Sequence, residues 1–142
     1  MNAEAGASTV LLIDDEPDFA NLVKLILGCQ CGDEVHIAPS AGEGLRIAAQ
    51  AQPDFILVRI MMYEVNGYEV CRQLKAMPHL QGVPVLLHAA IDPKRVYPEA
   101  QRVGAAGYLQ QPYGPQVLIA ARDAVLRGDA YYPPLPEEND GQ

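Results

Sequence analysis

Short apolar runs alternate with stretches of helical periodicity along most of this chain. The runs at 9–13 and 55–58 are continuous and rich in branched and aromatic side chains, which is typical of parallel strands buried on both faces. Residues 34–38 alternate between polar and apolar positions, as a half-buried strand does. Two further runs, at 83–88 and 106–109, complete a set of five predicted strands.

Amphipathic helices are predicted between these strands. The first spans 18–27, with Pro17 in its first turn. The second begins after Ser40, which forms a capping-box pattern with Glu43, and is predicted to extend to Ala51. The apolar positions of the first helix are Phe19, Leu22, Val23, Ile26 and Leu27.

Three more helices follow in the second half of the chain. One begins after Asn66-Gly67 and ends before Pro78, and the last spans 115–127. The helix predicted at 94–103 contains Pro98, which removes a backbone donor, so we expect it to be short, late-starting or kinked. The predicted buried positions are Val70, Cys71 and Leu74 in the third helix, and Val117, Leu118, Ala121 and Val125 in the last.

Alternation of five strands with five helices predicts an α/β fold with a doubly wound parallel sheet, and the order 2-1-3-4-5 fits best. In such a sheet, ligands bind at the carboxyl ends of the strands. Four connections then approach one crevice, and they carry Asp14-Asp15, Arg59, Ala89-Ala90 and Gln111-Pro112.

The length of 142 residues suits one domain. We predict a flexible N-terminus at 1–8, a folded domain at 9–129, and a proline-rich acidic tail or linker at 130–142. Residues 1–8 contain neither a signal sequence nor a membrane anchor, so a cytoplasmic protein without membrane contact is expected. The three cysteines form no CxxC pair and are expected to be free thiols.

The charge balance argues against nucleic-acid contact by this chain. Acidic residues number 18 against 10 basic ones, which gives a formal net charge of -8. No basic stripe with interleaved aromatic side chains is present in the sequence. Binding to DNA or RNA by this chain itself is therefore not expected.

Several motifs in the predicted order resemble the receiver domain of two-component response regulators. They are Asp14-Asp15-Glu16-Pro17, Asp54-Phe55-Ile56-Leu57-Val58, Ile60-Met61-Met62, Asn66-Gly67, Val83-Pro84-Val85 and Gly104-Ala105. The resemblance implies the flavodoxin-like 2-1-3-4-5 fold and transfer of a phosphoryl group from a histidine kinase to an aspartate. It also implies that Asp14 and Asp15 match the acidic pair that holds Mg²⁺.

The departures from this family fall on its chemistry, so the chain resembles a degenerate receiver, a pseudo-receiver. Arg59 stands at the position of the acceptor aspartate, Ala89 at that of the Thr or Ser, and Gln111 at that of the Lys. Arginine has no lone pair for attack on phosphorus, and alanine has no hydroxyl. Glutamine donates hydrogen bonds without charge.

We therefore hypothesise that the Arg59 guanidinium replaces the metal and bridges Asp14 or Asp15. No cofactor, weak or absent Mg²⁺ binding and no enzymatic activity are expected. Two plainer interpretations stay open: Arg59 is a surface residue without contact to the acids, or the acids only form a solvated helix N-terminus.

Other residues have alternatives of their own. His88 is predicted to be a packed or hydrogen-bonded core histidine, and Glu64 a solvated loop charge. Residual phosphotransfer at Glu64 or His88 is the alternative to loss of phosphorylation. Tyr108 matches a family aromatic that changes rotamer, and without a hydroxyl at Ala89 it is expected to keep one orientation; simple packing is equally compatible.

The output is expected to be protein contact, as a homodimer or with a protein partner, through helix 4, strand 5 and helix 5. A histidine kinase or an output domain is a candidate partner, because 124–134 resembles a boundary to such a domain. A flavodoxin-like cofactor binder fits poorly, since an anionic ligand would meet carboxylates. Candidate contact residues, by family analogy, are Lys94, Arg95, Tyr108, Arg122 and Asp123.

Overall fold

A computed structural model describes residues 6–135. The predictions for 1–5 and 136–142 lie outside these residues. Five parallel strands form one sheet in the order β2-β1-β3-β4-β5, which confirms the predicted fold class. The strands are β1 Thr9–Ile13, β2 Glu34–Ala38, β3 Phe55–Arg59, β4 Val85–Ala89 and β5 Gly107–Gln110.

Helices cover both faces of the sheet. They are α1 Pro17–Cys31, α2 Ala41–Ala48, α3 Gly67–Lys75, α4 Pro93–Arg102 and α5 Pro115–Leu126, with a short 3-10 turn at Pro78–Leu80. One core layer lies between the sheet and α2, α3 and α4. The other lies between the sheet and α1 and α5. Because β1, β3 and β4 are buried on both faces, their sequences are almost wholly apolar.

Helix α2 begins where its capping signal predicts and ends before Ala51. The Ser40 hydroxyl oxygen accepts a hydrogen bond from the Glu43 amide at 3.1 Å. The Glu43 carboxylate pairs with Arg46 at 2.7 Å. At the other end, the Gln50 amide donates to the Ile47 carbonyl, three residues earlier. This 3-10-type hydrogen bond ends the α-helix.

Of the short, late-starting or kinked helix expected from Pro98, the late start is wrong, because α4 begins at Pro93. Pro93 fits the first turn, and the Asp92 carboxylate accepts from the Lys94 amide at 3.0 Å. These two start signals fix the helix from Pro93 to Arg102, with Pro98 inside it. An aspartate cap with proline at the first helical position therefore outweighs the missing donor of an internal proline.

Two predicted core positions are exposed. Leu22 of α1 is 46% exposed and Val117 of α5 is 38% exposed, so both predictions were wrong. On α1 the small Ala20 is fully buried instead. The buried sides predicted for α3 and for the remainder of α5 are confirmed.

The first part of the predicted tail packs on the sheet. Tyr131 forms a parallel bridge with Gly107 of β5, so the segment at 130–135 is not a free linker. We call residues 130–135 the C-terminal strap. None of the helices in the described residues is long and apolar enough to span a bilayer.

Candidate functional site

The carboxyl ends of β1, β3 and β4 bring the predicted site residues together. Asp14 directly follows β1, Arg59 ends β3 and Ala89 ends β4. Arg59 is in register with His88 of β4, while Val58 is in register with Ile13 of β1. The crevice predicted from strand order is therefore present.

Asp14 is almost completely buried and has a partner on each carboxylate oxygen. Its Oδ1 accepts from the Glu16 amide at 2.9 Å. Its Oδ2 lies 2.9 Å from Nε2 of His88, whose side chain is fully buried. Two hydrogen bonds to a buried carboxylate offset much of its lost hydration.

His88 connects Asp14 to Tyr113. Its Nδ1 lies 2.7 Å from the Tyr113 hydroxyl, and the Phe19 ring packs edge-on against both rings. These partners fit a neutral imidazole that donates from Nε2 to Asp14 and accepts at Nδ1 from Tyr113. Burial lowers the pKa of His88, although the hydrogen bond and charge of Asp14 oppose this shift.

Tyr113 shares this enclosed environment. Burial raises the pKa of its hydroxyl, and the negative charge of Asp14 adds to that effect. The sequence predicts His88 as a hydrogen-bonded core residue, and this is confirmed. Its link to Asp14 was missed, because the two residues are 74 positions apart in the chain.

The guanidinium of Arg59 lies beside both acidic side chains. Nη1 is 3.8 Å from Oδ1 of Asp14, and Nε is 3.7 Å from Oδ1 of Asp15. The Arg59 side chain is 23% exposed, so the interpretation as a surface residue without contact is wrong. The bridging arrangement is looser than predicted, since these distances exceed hydrogen-bond length and Nε instead donates to the Met61 carbonyl at 3.3 Å.

Asp15 is held by the loop that follows β3. Its Oδ2 accepts from the Tyr63 amide at 2.8 Å. Next to it is a cavity of about 310 Å³ lined by Asp15, Ser40, Met62 and Glu64 among others. Glu64 is exposed in this loop, as predicted for a solvated charge. The acids are thus more than a solvated helix N-terminus.

The donor set at Asp14 and Asp15 does not fit Mg²⁺ well. Each carboxylate accepts from a backbone amide, Asp14 also contacts His88, and a fixed positive charge lies within 4 Å of both. Within residues 6–135, no group of three or more His, Cys, Asp or Glu side chains is arranged to hold a metal ion. These oxygens keep lone pairs, so the feature that opposes Mg²⁺ at this place is the positive charge of Arg59.

Tyr108 points inward under the end of β4. Its hydroxyl lies 2.8 Å from the Ala89 carbonyl and 2.6 Å from the Ile91 carbonyl, and it accepts from the Ile91 amide at 3.2 Å. The Gln111 amide donates to the same Ala89 carbonyl at 2.7 Å. The Ala89 side chain is a buried methyl group. The end of β4 therefore contributes no side-chain hydroxyl to the crevice.

The residues predicted for the output face are not all on it. Lys94 and Arg95 are exposed on α4, whereas Tyr108 is 2% exposed and lies beneath the surface. Arg122 is 1% exposed, and its guanidinium binds Asp33 through two contacts of 2.7 Å and Asp123 at 2.6 Å. Arg122 and Tyr108 were wrongly assigned to an exposed surface.

Comparisons with known proteins agree with this fold. Residues 10–123 match the response regulator receiver domain family, and the chain belongs to this family. It is 31% identical over 118 residues to the DNA-binding dual master transcriptional regulator RpaA of Synechocystis, covering 83% of this chain and 48% of RpaA. It is 30% identical to Protein PilH of Pseudomonas aeruginosa, covering 84% of this chain and 98% of PilH.

Solved structures give the same result. A putative response regulator from Chloroflexus aurantiacus superposes with a TM-score of 0.80 at 26% identity, over 85% of this chain and 98% of that one. The chemotaxis protein CheY4 of Vibrio cholerae gives 0.76 at 26% identity, over 82% and 96%. The chain spans about half the length of RpaA and nearly all of PilH.

Proposed function

We propose that this chain is a receiver module that passes on a signal by protein contact, without phosphorylation of an aspartate. The observation that carries this proposal is the place of Arg59. Arg59 is the last residue of β3, and its guanidinium lies 3.8 Å from the Asp14 carboxylate and 3.7 Å from the Asp15 carboxylate, both of which follow β1. In the receiver family, the acceptor carboxylate stands at this position.

The chemistry of the crevice supports this proposal. An acyl phosphate requires a carboxylate that attacks phosphorus, and a guanidinium has no lone pair for that step. Developing charge on the phosphoryl oxygens requires donors or cations. At the corresponding positions, Ala89 supplies no hydroxyl, and Gln111 supplies no charge.

Weak or absent Mg²⁺ binding is part of the same proposal. A divalent ion bound to Asp14 and Asp15 would be repelled by the permanent charge of Arg59, whose guanidinium lies within 4 Å of both carboxylates. The internal cation therefore offsets the acidic charge that the metal neutralises in a phosphorylated receiver. Enzymatic activity is not part of the proposed function.

The proposed output is contact with a protein through the surface of α4, β5 and α5. Exposed Lys94 and Arg95 on α4 offer positive charge on an otherwise acidic molecule, which favours an acidic patch on the partner. A histidine kinase, an output domain or a second copy of the chain are the partner classes. Contact of this chain itself with nucleic acid is not part of the proposed function, because its net charge is -8.

Incubation with acetyl phosphate and Mg²⁺, followed by intact mass spectrometry, tests the proposal. A receiver that retains its acceptor aspartate, treated in parallel, serves as the positive control. We expect the control to gain the mass of one phosphoryl group and this chain to gain none. Incorporation mapped to Glu64, His88 or another residue would overturn the proposal in favour of residual phosphotransfer.

A further inference from the structure

The C-terminal strap extends the parallel sheet beyond β5. The Tyr131 amide donates to the Ala106 carbonyl at 2.8 Å, and the Tyr108 amide donates to the Tyr131 carbonyl at 3.0 Å. Because β5 is the last strand in the sheet order, these bonds satisfy groups that an edge strand would otherwise leave unpaired. The β5 edge is therefore covered by the chain itself.

Side chains of the strap hold both faces of the sheet at this edge. Tyr131 packs against the core layer of α1 and α5, and Tyr132 packs against the layer of α2, α3 and α4. The Tyr132 hydroxyl donates to the Ala105 carbonyl at 2.7 Å. Tyr97 of α4 donates to the Pro133 carbonyl at 2.6 Å and packs edge-on against the Tyr132 ring at 5.0 Å.

Gly107 makes this close approach of the strap to β5 sterically possible. A Cβ atom added at Gly107 would lie 2.4 Å from the Tyr131 carbonyl oxygen and 2.8 Å from the Tyr131 Cβ. Both contacts are shorter than real Cβ atoms allow. The strap can therefore lie this close to β5 only because residue 107 is a glycine.

The outer side of the strap has few groups for further pairing. Pro133 and Pro134 are exposed and carry no N–H, so a third chain finds few donors there. The strap therefore covers the edge of the sheet without itself becoming a new edge strand to which another strand could bind. A segment with this composition is suited to act as a cover.

We propose that the strap is an intramolecular cover that keeps the chain monomeric, and that its release lets a second copy dock on the β5 edge. This inference rests on the proposed output surface of α4, β5 and α5. Release would free the Ala106 carbonyl and the Tyr108 amide, which together form a template for another strand. It would also expose the ring of Tyr97.

A second copy is the occupant that the chemistry of this edge favours. Two identical strands pair antiparallel about a two-fold axis, which gives a closed, self-complementary interface. The β5 sequence Gly-Tyr-Leu-Gln contains no acidic or basic side chain. When two copies pair along β5, the strand itself therefore brings no like charges face to face.

The test compares the full chain with full-length Gly107→Val and Tyr131→Pro variants. Gly107→Val expels the strap by steric overlap, and Tyr131→Pro removes the amide that donates to Ala106. Gly82→Val is the matched control, since a Cβ there meets nothing within 4 Å. Hydrogen exchange at the Tyr108 amide reports strap release, and light scattering over a range of concentrations reports the mass in solution.

We expect a protected Tyr108 amide and a monomer in the parent and the control. In both strap variants, the amide should exchange rapidly at concentrations where the chain is monomeric. In Tyr131→Pro the dimer dissociation constant should fall about tenfold or more, because the tethered competitor is gone. Gly107→Val reports strap release only, since its added Cβ also occupies the space that a docked strand needs. If Gly107→Val does not fold, Tyr131→Pro carries the test, since Tyr131 lies outside strands β1–β5.

Three results would overturn the inference: a Tyr131→Pro chain that releases its strap and stays monomeric, a Tyr108 amide that stays protected in monomeric Tyr131→Pro, or a parent that dimerises as strongly as Tyr131→Pro. Failure of this inference is distinguishable from failure of the proposed function. Phosphoryl incorporation is measured by mass on the monomer and does not depend on the strap.

Discussion

Replacement of Arg59 by Met tests the role of this half-buried cation. Methionine keeps an unbranched side chain of similar length and removes the charge. In the structure, Arg59 faces Asp14 and Asp15 at 3.8 Å and 3.7 Å, without a hydrogen bond to either. The perturbation is therefore mainly electrostatic.

The magnitude follows from these distances. At an effective dielectric constant of about 20, each contact contributes an attraction of about 4 kcal/mol before the desolvation cost is subtracted. Breaking a fully buried pair costs about 3 to 5 kcal/mol, and an exposed pair contributes about 1 kcal/mol or less. Because Arg59 is 23% exposed and Asp14 keeps its bonds to His88 and Glu16, we expect a loss of about 2 kcal/mol.

Urea unfolding at pH 7 measures this loss, with Arg46→Met as the matched control. Arg46 lies closer to its carboxylate, at 2.7 Å from Glu43, but its side chain is 68% exposed. The control should lose about 0.5 kcal/mol or less. An equal loss of unfolding free energy in Arg46→Met and Arg59→Met would show that burial does not decide the strength of these ion pairs.

Three further predictions concern buried polar side chains. Tyr108→Phe should lower the free energy of unfolding by about 1 to 2 kcal/mol, because the amide and carbonyl of Ile91 lose the hydroxyl as partner, while the Ala89 carbonyl keeps the backbone amide of Gln111. Tyr63→Phe, at a residue 93% exposed, should change nothing measurable in the same urea titration. Arg122→Met should cost about 3 to 5 kcal/mol, because it leaves the buried Asp33 carboxylate without its cation, and a loss below that of Arg46→Met would contradict this. His88→Leu should change how stability depends on pH. Burial lowers the pKa of His88 in the folded state, so the unfolded chain takes up the proton at higher pH than the folded chain does. As pH falls below about 6.5, His88 therefore lowers the free energy of unfolding of the parent by up to about 1.4 kcal/mol per pH unit. The difference in stability between parent and variant, measured from pH 7.5 to 5, should show that slope, and a constant difference would contradict it.

The sheet and its order could be predicted because local patterns specify them. Strands β1 and β3 are continuous apolar runs, and the Ser40 cap marks the start of α2 correctly. The gathering of Asp14, Asp15 and Arg59 follows from strand order alone, since parallel strands end at one edge. What strand order does not give is the distance, which proved too long for a hydrogen bond.

Other parts depend on partners distant in sequence. Arg122 lies in a helical pattern that gives no sign of Asp33, which is 89 positions away. The composition of the strap is typical of a linker, yet its docking is decided by the free edge of β5 and the absence of a side chain at Gly107. Start signals at Asp92 and Pro93 likewise outweigh Pro98 in α4.

Titration of the unmodified chain with Mg²⁺ by calorimetry tests the central claim most directly. If the Arg59 guanidinium takes the place of the metal, no saturable heat should appear up to about 10 mM Mg²⁺, beyond the dilution signal. Saturable binding at millimolar concentration or tighter, abolished by Asp15→Asn, would show a working metal site and contradict the account.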